Sequence, residues 1–154
     1  MDAAYYNQTN ILNGSIVHSG DNHDGVGDGD DEQIKIDLSK LPQKTKSLWF
    51  IVNAFSGGTF TGVETARFTL YDGSDHNQIL YSYGIGMAFD STALLLGVLS
   101  VNDPYSDNKQ WSFKVYYMLF ADCTSLYEYS YIQLQKNQFL RVILIHCLCL
   151  YIDD

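Results

Sequence analysis

The sequence predicts an all-β fold, an antiparallel β-sandwich, and two patterns carry that prediction. Short runs alternate between apolar and polar residues, as in Ile34–Leu38 and Thr65–Leu70, which is typical of half-buried strands. The runs are rich in β-branched and aromatic residues, and turn-forming pairs such as Asp72-Gly73 separate them. Neither βαβ alternation nor an internal repeat is visible, so an antiparallel sandwich is favoured over an α/β fold.

Six strands are predicted in chain order, each delimited by residues that break or turn the chain. Leu41-Pro42 ends the first run, Gly57-Gly58 marks a turn after the second, and Asp72-Gly73 supplies a hairpin-type turn after the third. Asp103-Pro104 and Asp107-Asn108 form a loop before the last strand. The predicted strands are Ile34–Leu38, Leu48–Val52, Thr65–Leu70, Ile79–Tyr83, Thr92–Leu99 and Trp111–Tyr117. Residues predicted to share a face within their strand are Ala66, Phe68 and Leu70, and likewise Trp111, Phe113, Val115 and Tyr117.

The C-terminal residues follow a different pattern, without clear turn signals or either periodicity. The predicted organisation is therefore a partial sandwich domain at residues 1–118 and a divergent tail of uncertain structure at residues 119–154. The most apolar stretch, Phe139–Ile152, is shorter than the roughly 20 residues of a membrane-spanning helix, and Arg141 interrupts it. A buried strand or helix is favoured there over membrane contact.

Charge and cysteine usage exclude several classes of partner and of location. With 154 residues, a net charge of −9 and no cluster of Lys or Arg, the chain disfavours nucleic acid and anionic membranes. Cys123, Cys147 and Cys149 are odd in number and lie late in the chain, unlike a secreted disulfide framework. The N-terminal residues MDAAYYNQTN show no secretory signal, so a reducing cytoplasm is the predicted location.

The segment Gly20–Glu32, GDNHDGVGDGDDE, concentrates six carboxylates in a glycine-rich loop without Lys or Arg. Two such charges about 5 Å apart repel by about 1 kcal/mol in water, and by several times more when partly desolvated. A hard divalent cation relieves that repulsion, and calcium accepts six to eight oxygen ligands in flexible geometry. The glycines let the backbone turn and present carbonyl oxygens. The residues alone leave two interpretations open, a cation site and a solvated acidic loop, and among cations calcium is favoured over magnesium.

The loop is not an EF-hand, which needs acidic or amide residues at positions one, three and five, Gly at six and Glu at twelve. Counted from Asp24, position three is Val26 and position twelve is Lys35. Counted from Asp28, position six is Gln33. A calcium site here must therefore have another geometry.

Other candidate sites carry weaker signals. His18 and His23 flank the start of the loop, but their spacing fits no usual structural zinc site. Cys147 and Cys149 lie in an apolar run, where buried thiols are more common than metal ligands. Gly84-Ile85-Gly86 lacks the third glycine of a nucleotide fingerprint, and no Gly-x-Ser-x-Gly motif is present. The residues therefore give no support to Ser/His/Asp catalysis and only weak support to a nucleotide-binding site.

The order of residues from His18 onward, HSGDNHDGVGDGDDEQIKIDLSKLP, resembles the signature of the tellurium-resistance (TerD-like) family. That signature has a Gly-Asp-Asn turn, a Gly-x-Gly-Asp-Gly-Asp-Asp-Glu loop and a strand that ends in Asp-Leu-Ser. The similarity covers roughly residues 4 to 117. It continues through Leu48–Val52, Glu64–Arg67, Leu94–Val98 and Trp111–Lys114.

The resemblance implies a calcium-binding β-sandwich that acts in tellurite or other chemical stress resistance, or as an adaptor, without enzymatic activity. Some relatives are described as cyclic-AMP-binding proteins, which makes a cyclic nucleotide the alternative ligand. Another TerD-like protein is a further partner that the resemblance suggests. By matching position, the metal-ligand role passes to Asp21, Asn22, Asp28, Asp30, Asp31 and Glu32.

Two departures from the family pattern matter for the expected fold. The family usually has an N-terminal hairpin with an Asp-x-Asp segment before the region of Tyr5-Tyr6-Asn7, and here Met1 lies just upstream of that region. Residues Met118–Asp154 stand where the family usually has a glycine-containing strand and a helix. We therefore expect a sandwich that is incomplete at its N-terminal edge. A truncated fragment without autonomous function is the third hypothesis.

Overall fold

The computed structural model describes residues 2–20, 32–53, 60–62, 66–74, 78–85, 91–107, 109–119, 127–134, 139–144 and 148–153, with the backbone alone at Ile85 and from residue 117 onward. These residues form twelve strands and two short 3-10 turns, Leu12–Gly14 and Phe60–Gly62. The strands are β1 Asp2–Ala4, β2 Asn10–Ile11, β3 Ile16–His18, β4 Glu32–Asp37, β5 Ser47–Asn53, β6 Ala66–Asp72, β7 Ile79–Ile85, β8 Ala93–Val101, β9 Trp111–Leu119, β10 Tyr127–Leu134, β11 Phe139–Leu144 and β12 Leu148–Asp153.

The described strands form two six-stranded sheets. Sheet I has the order β1-β12-β5-β8-β9-β10, and sheet II has the order β2-β3-β4-β11-β6-β7. Neighbouring strands are antiparallel in both sheets. Buried side chains from both sheets belong to one hydrophobic cluster, so the sheets pack face to face. The predicted all-β antiparallel sandwich is confirmed.

The six strands predicted from alternation and from short apolar runs between turn signals are β4 to β9, each confirmed with shifted ends. The residues predicted to share a face in β6 and in β9 are buried together wherever side chains are described. Gly57-Gly58 and the side chain of Tyr117 lie outside that description. The buried residues, each at most 6% exposed, are Ala66, Phe68, Leu70, Trp111, Phe113 and Val115.

The hairpin between β6 and β7 is longer than a two-residue turn. Asp72 ends β6 because its carboxylate Oδ1 accepts a hydrogen bond from the Ser74 amide at 2.9 Å and another from the Ser74 hydroxyl at 2.5 Å. The Asp72 amide then donates to the Gln78 carbonyl at 3.0 Å, which closes the connection. The hairpin pairing predicted at Asp72-Gly73 is therefore confirmed, with a wider loop.

Four aromatic rings join the two sheets at the centre of the core. Phe50 and Phe113 come from sheet I, and Phe68 and Tyr83 come from sheet II. The ring of Phe68 stacks on Phe113 with centroids 5.6 Å apart and lies 5.5 Å from the ring of Tyr83. Phe50 meets Phe113 edge-on at 5.7 Å, an arrangement that aromatic quadrupoles favour. These contacts fix how the two sheets face each other.

Residues after Leu119 contribute three strands to the two sheets. β10 forms one edge of sheet I. β12 lies between β1 and β5, and β11 lies between β4 and β6. The apolar run Phe139–Ile152 thus contains two strands that each have a hydrogen-bonded neighbour on both sides. The described part of the chain has no helix long and apolar enough to cross a membrane.

Candidate metal site

The acidic loop begins and ends on adjacent strands of sheet II. β3 and β4 are antiparallel, with His18 opposite Ile34 and Ile16 opposite Ile36. The chain therefore leaves the sheet after β3 and returns to it at β4, beside the point of departure. Residues 21–31 lie outside the described residues, and with them the candidate ligands Asp21, Asn22, Asp28, Asp30 and Asp31. Glu32 is the candidate ligand that the structure describes.

Glu32 is a buried carboxylate that faces a buried histidine. It is the first residue of β4, and its Oε2 lies 3.6 Å from Nε2 of His18, the last residue of β3. The two side chains are 3% and 0% exposed. Burial of a carboxylate requires polar partners, since an isolated buried charge is strongly disfavoured. The His18–Glu32 pair therefore holds the carboxylate at the base of the loop.

The position of Glu32 follows from the alternation of β4. Ile34 and Ile36 face the core with no exposed surface, and Glu32 precedes Ile34 by two residues, so it lies on the same face. His18 is buried together with Ile16 in β3 for the same reason. Sequence reasoning considered His18 as a zinc ligand and missed its pairing with Glu32. The two-residue period of β4 was a signal in the sequence that could have placed Glu32 on the inward face, together with Ile34 and Ile36.

The tautomer of His18 follows from its second partner. The Gly20 amide donates to Nδ1 of His18 at 3.0 Å, so this nitrogen acts as an acceptor and carries no proton. The ring proton is then on Nε2, which faces the carboxylate of Glu32. His18 thus connects the outgoing end of the loop, at Gly20, to its returning end, at Glu32.

Further hydrogen bonds close the base of the loop. The Ser19 amide donates to the Gln33 carbonyl at 2.8 Å, and the Gln33 amide donates to the Ser19 hydroxyl at 3.0 Å. Gly20 has a backbone φ of +93°, a left-handed conformation that favours glycine. We call the residues His18, Ser19, Gly20, Glu32 and Gln33 the loop clasp. The clasp joins the two ends of the acidic loop.

The described residues leave the calcium site and the zinc alternative as predictions. Among them, no group of three His, Cys, Asp or Glu side chains is placed to hold a metal ion. His23 and Cys147 lie outside the described residues. Gly84 lies within strand β7, whereas a nucleotide fingerprint requires glycines in a loop between a strand and a helix.

Comparison with known proteins identifies a family. The sequence model of the TerD domain family matches residues 1–122. The chain is 38% identical over 95 residues to the tellurium resistance protein TerZ of Serratia marcescens. The matched segment covers 53% of this chain and 49% of that protein. It is 34% identical over 116 residues to general stress protein 16U of Bacillus subtilis, covering 73% and 58% of the two chains.

A third relative matches over more of its own length. The chemical-damaging agent resistance protein B of Clostridium acetobutylicum is 35% identical over 118 residues, which cover 73% of this chain and 81% of that protein. The chain spans only about half the length of the first two relatives (49% and 58%). No solved structure matches the chain.

Proposed function

Because the chain belongs to the TerD domain family, we propose that it is a non-enzymatic, calcium-binding protein that acts in a response to chemical stress. Three relatives carry names that refer to tellurium resistance, general stress and chemical-damaging agents. Those names support the stress-related class. Calcium binding and the absence of catalysis are the parts of the proposal that experiments must decide.

The observation that carries the calcium proposal is the clasp at the base of the acidic loop. Through His18 it links Gly20, two residues after the end of β3, to Glu32, the first residue of β4, so the acidic segment between them starts and ends at one place. Carboxylates confined in this way repel one another, and the repulsion grows as they lose water. A bound divalent cation would remove the repulsion, and an all-oxygen donor set suits calcium.

The residues that would hold the ion belong to two groups. Within the loop, the oxygen donors would be Asp21, Asn22, Asp28, Asp30 and Asp31. Glu32 differs from these because its carboxylate already faces His18 at the base of the loop. A role for Glu32 as a ligand would therefore require it to share its oxygens between the imidazole and the ion. When bound, calcium supplies positive charge and ties the loop together, and it supplies no reaction chemistry here.

A calcium-binding loop and a solvated acidic loop differ in their response to the ion. Only the calcium-binding loop should make the folded protein more stable when calcium is added. A ligand that binds only the folded state stabilises it by RT ln(1 + [L]/Kd), about 2.7 kcal/mol when its concentration is a hundred times Kd. Thermal unfolding is measured in excess calcium and in a chelator. We expect a higher melting temperature in calcium.

The test uses two double variants, each of which removes two negative charges: one changes the loop, and the other is its matched control. Asp28→Asn/Asp30→Asn changes the loop, and we expect it to abolish the calcium-dependent rise in melting temperature. Asp103→Asn/Asp107→Asn changes exposed carboxylates far along the chain and should keep the rise. Equal melting temperatures of the wild type in calcium and in chelator would reject the proposal. The cyclic-nucleotide and fragment hypotheses stay predictions.

A further inference from the structure

β11, Phe139–Leu144, is a C-terminal strand that lies beside the base of the acidic loop. It pairs with β4 on one side and with β6 on the other, so it belongs to the interior of sheet II. Its last two residues, Ile143 and Leu144, lie opposite Gln33 and Glu32 of the loop clasp. β11 also lies beyond residues 1–122, which the family model matches. The strand that returns from the loop is therefore paired with β3 and with the C-terminal part of the chain.

The two sides of β4 are secured differently at the base of the loop. On the β3 side, His18 contacts Glu32 in addition to the strand pairing. Two hydrogen bonds between Ser19 and Gln33 reinforce the same side. On the β11 side, the pair Glu32–Leu144 joins the first residue of β4 to the last residue of β11. Strand ends open locally at a lower free energy than strand interiors, so the Glu32–Leu144 end is the side of β4 that opens first.

Charge repulsion within the acidic loop acts on this strand end. The segment Gly20–Glu32 carries six carboxylates and no Lys or Arg. Two such charges about 5 Å apart repel by about 1 kcal/mol in water, so separating them lowers the electrostatic energy. Opening the Glu32–Leu144 end frees additional chain at the end of the loop and lets the carboxylates move apart. Repulsion therefore favours the open strand end, and neutralising the carboxylates favours the paired one.

We propose that the charge of the acidic loop controls the pairing of the C-terminal strand: repulsion among the carboxylates opens the Glu32–Leu144 end of the β4–β11 ladder, and a bound cation closes it. Ile143 and Leu144 also pair with Thr69 and Phe68 of β6, so the same opening loosens the connection between β4 and β6. The coupling is reciprocal, and a paired β11 therefore also favours cation binding. The effect of calcium rests on the proposed function, whereas the repulsion acts in the protein without an ion.

The first test compares amide hydrogen exchange of the full chain in excess calcium and in chelator, residue by residue, by nuclear magnetic resonance. Exchange reports local opening, so it separates the two ends of one strand. We expect calcium to slow exchange at Ile143 and Leu144 about fivefold more than at Leu140, near the other end of β11, which corresponds to about 1 kcal/mol. Equal slowing in every strand would reflect global stabilisation alone and would overturn the proposal.

The second test removes loop charge without any ion. In chelator, Asp28→Asn/Asp30→Asn should exchange more slowly than the wild type at Ile143 and Leu144, because fewer carboxylates repel one another. Asp103→Asn/Asp107→Asn removes the same charge from the connection between β8 and β9 and should exchange like the wild type. Exchange at the end of β11 that is the same in the loop variant and in the wild type would overturn the proposal.

The two tests distinguish a failure of this proposal from a failure of the calcium assignment. If calcium raises the melting temperature but leaves the relative exchange of Leu144 and Leu140 unchanged, the coupling to β11 is wrong and the calcium assignment stands. If calcium has no effect on stability or exchange, but Asp28→Asn/Asp30→Asn still slows exchange at Leu144 in chelator, the calcium assignment is wrong and the control of β11 by loop charge stands.

Discussion

Nε2 of His18 lies 3.6 Å from Oε2 of Glu32, and both side chains are buried where the acidic loop leaves sheet II and returns to it. Because His18 also accepts a hydrogen bond from the Gly20 amide, one imidazole connects both ends of the loop. The pair therefore belongs to the scaffold that presents the loop, whatever further part Glu32 has in binding an ion.

Removing the imidazole should destabilise the fold. His18→Ala leaves the buried Glu32 carboxylate without this partner, and we expect the free energy of unfolding to fall by about 1–3 kcal/mol. His18→Gln keeps an amide donor for Glu32 and should lose less. Urea denaturation of both variants measures the difference. A His18→Ala protein as stable as the wild type would show that the contact does not support the loop clasp.

Tyr83 provides a hydrogen bond between the two sheets. Its hydroxyl, on β7, donates to the Leu96 carbonyl on β8 at 3.0 Å. Tyr83→Phe keeps the ring in the core and removes this bond, so we expect a loss of about 1 kcal/mol in the free energy of unfolding. Tyr81→Phe, on the same strand, is the control. Equal denaturation midpoints for Tyr83→Phe and the wild type would contradict the assigned role.

Gly97 is required by close packing, whereas Gly84 is not. A Cβ on Gly97 would lie 2.5 Å from Cζ of Phe113 and 2.9 Å from the Lys114 carbonyl oxygen, and the backbone oxygen cannot move aside easily. We expect Gly97→Ala to destabilise the protein by about 1–3 kcal/mol. Gly84→Ala enters open space and should be neutral or slightly stabilising. Thermal unfolding that shows equal effects of the two substitutions would refute the assigned packing at β8.

Asp37 should make stability depend on pH in the acid range. Hydrogen bonds from Lys40 and then Ser39 lower the pKa of the Asp37 carboxyl below its ordinary value of 3.8, against a smaller opposing effect of burial. Because the folded-state pKa is the lower one, the stabilisation is present above the unfolded-state pKa. It is lost as the pH falls through the folded-state pKa.

The corresponding variant is Asp37→Asn, which cannot titrate. The contact is largely exposed to solvent, so we expect a loss below about 1 kcal/mol at neutral pH that disappears in acid. Urea denaturation of the variant and the wild type at a series of pH values measures this convergence. A difference in stability that stays constant down to strongly acidic pH would contradict the assignment.

Alternation predicted strands whose two faces differ in environment. β4 is an example, since Glu32, Ile34 and Ile36 are buried while the residues between them are not. β11 and β12 come from one apolar run, where periodicity cannot distinguish a strand from a helix. β1, β2 and β3 have only two or three residues each, too few for any period to show.

The acidic loop could be predicted from the sequence, whereas the contact at its base could not, because that contact depends on strand pairing. The acidic loop is a local pattern and is visible in sequence. The His18–Glu32 contact joins residues fourteen positions apart, and it depends on β3 pairing with β4. A three-residue strand gives no sequence signal for that pairing, so the partner of Glu32 emerged only from the fold.

Calorimetric titration with calcium tests the central claim most directly. We expect saturable heat for the wild type with calcium up to about 1 mM, the weak end of protein calcium sites. The heat should be lost in Asp28→Asn/Asp30→Asn and kept in Asp103→Asn/Asp107→Asn, which carries the same change in net charge. Absence of binding heat in the wild type, or equal heat in the loop variant, would contradict the assignment of the acidic loop as a calcium site.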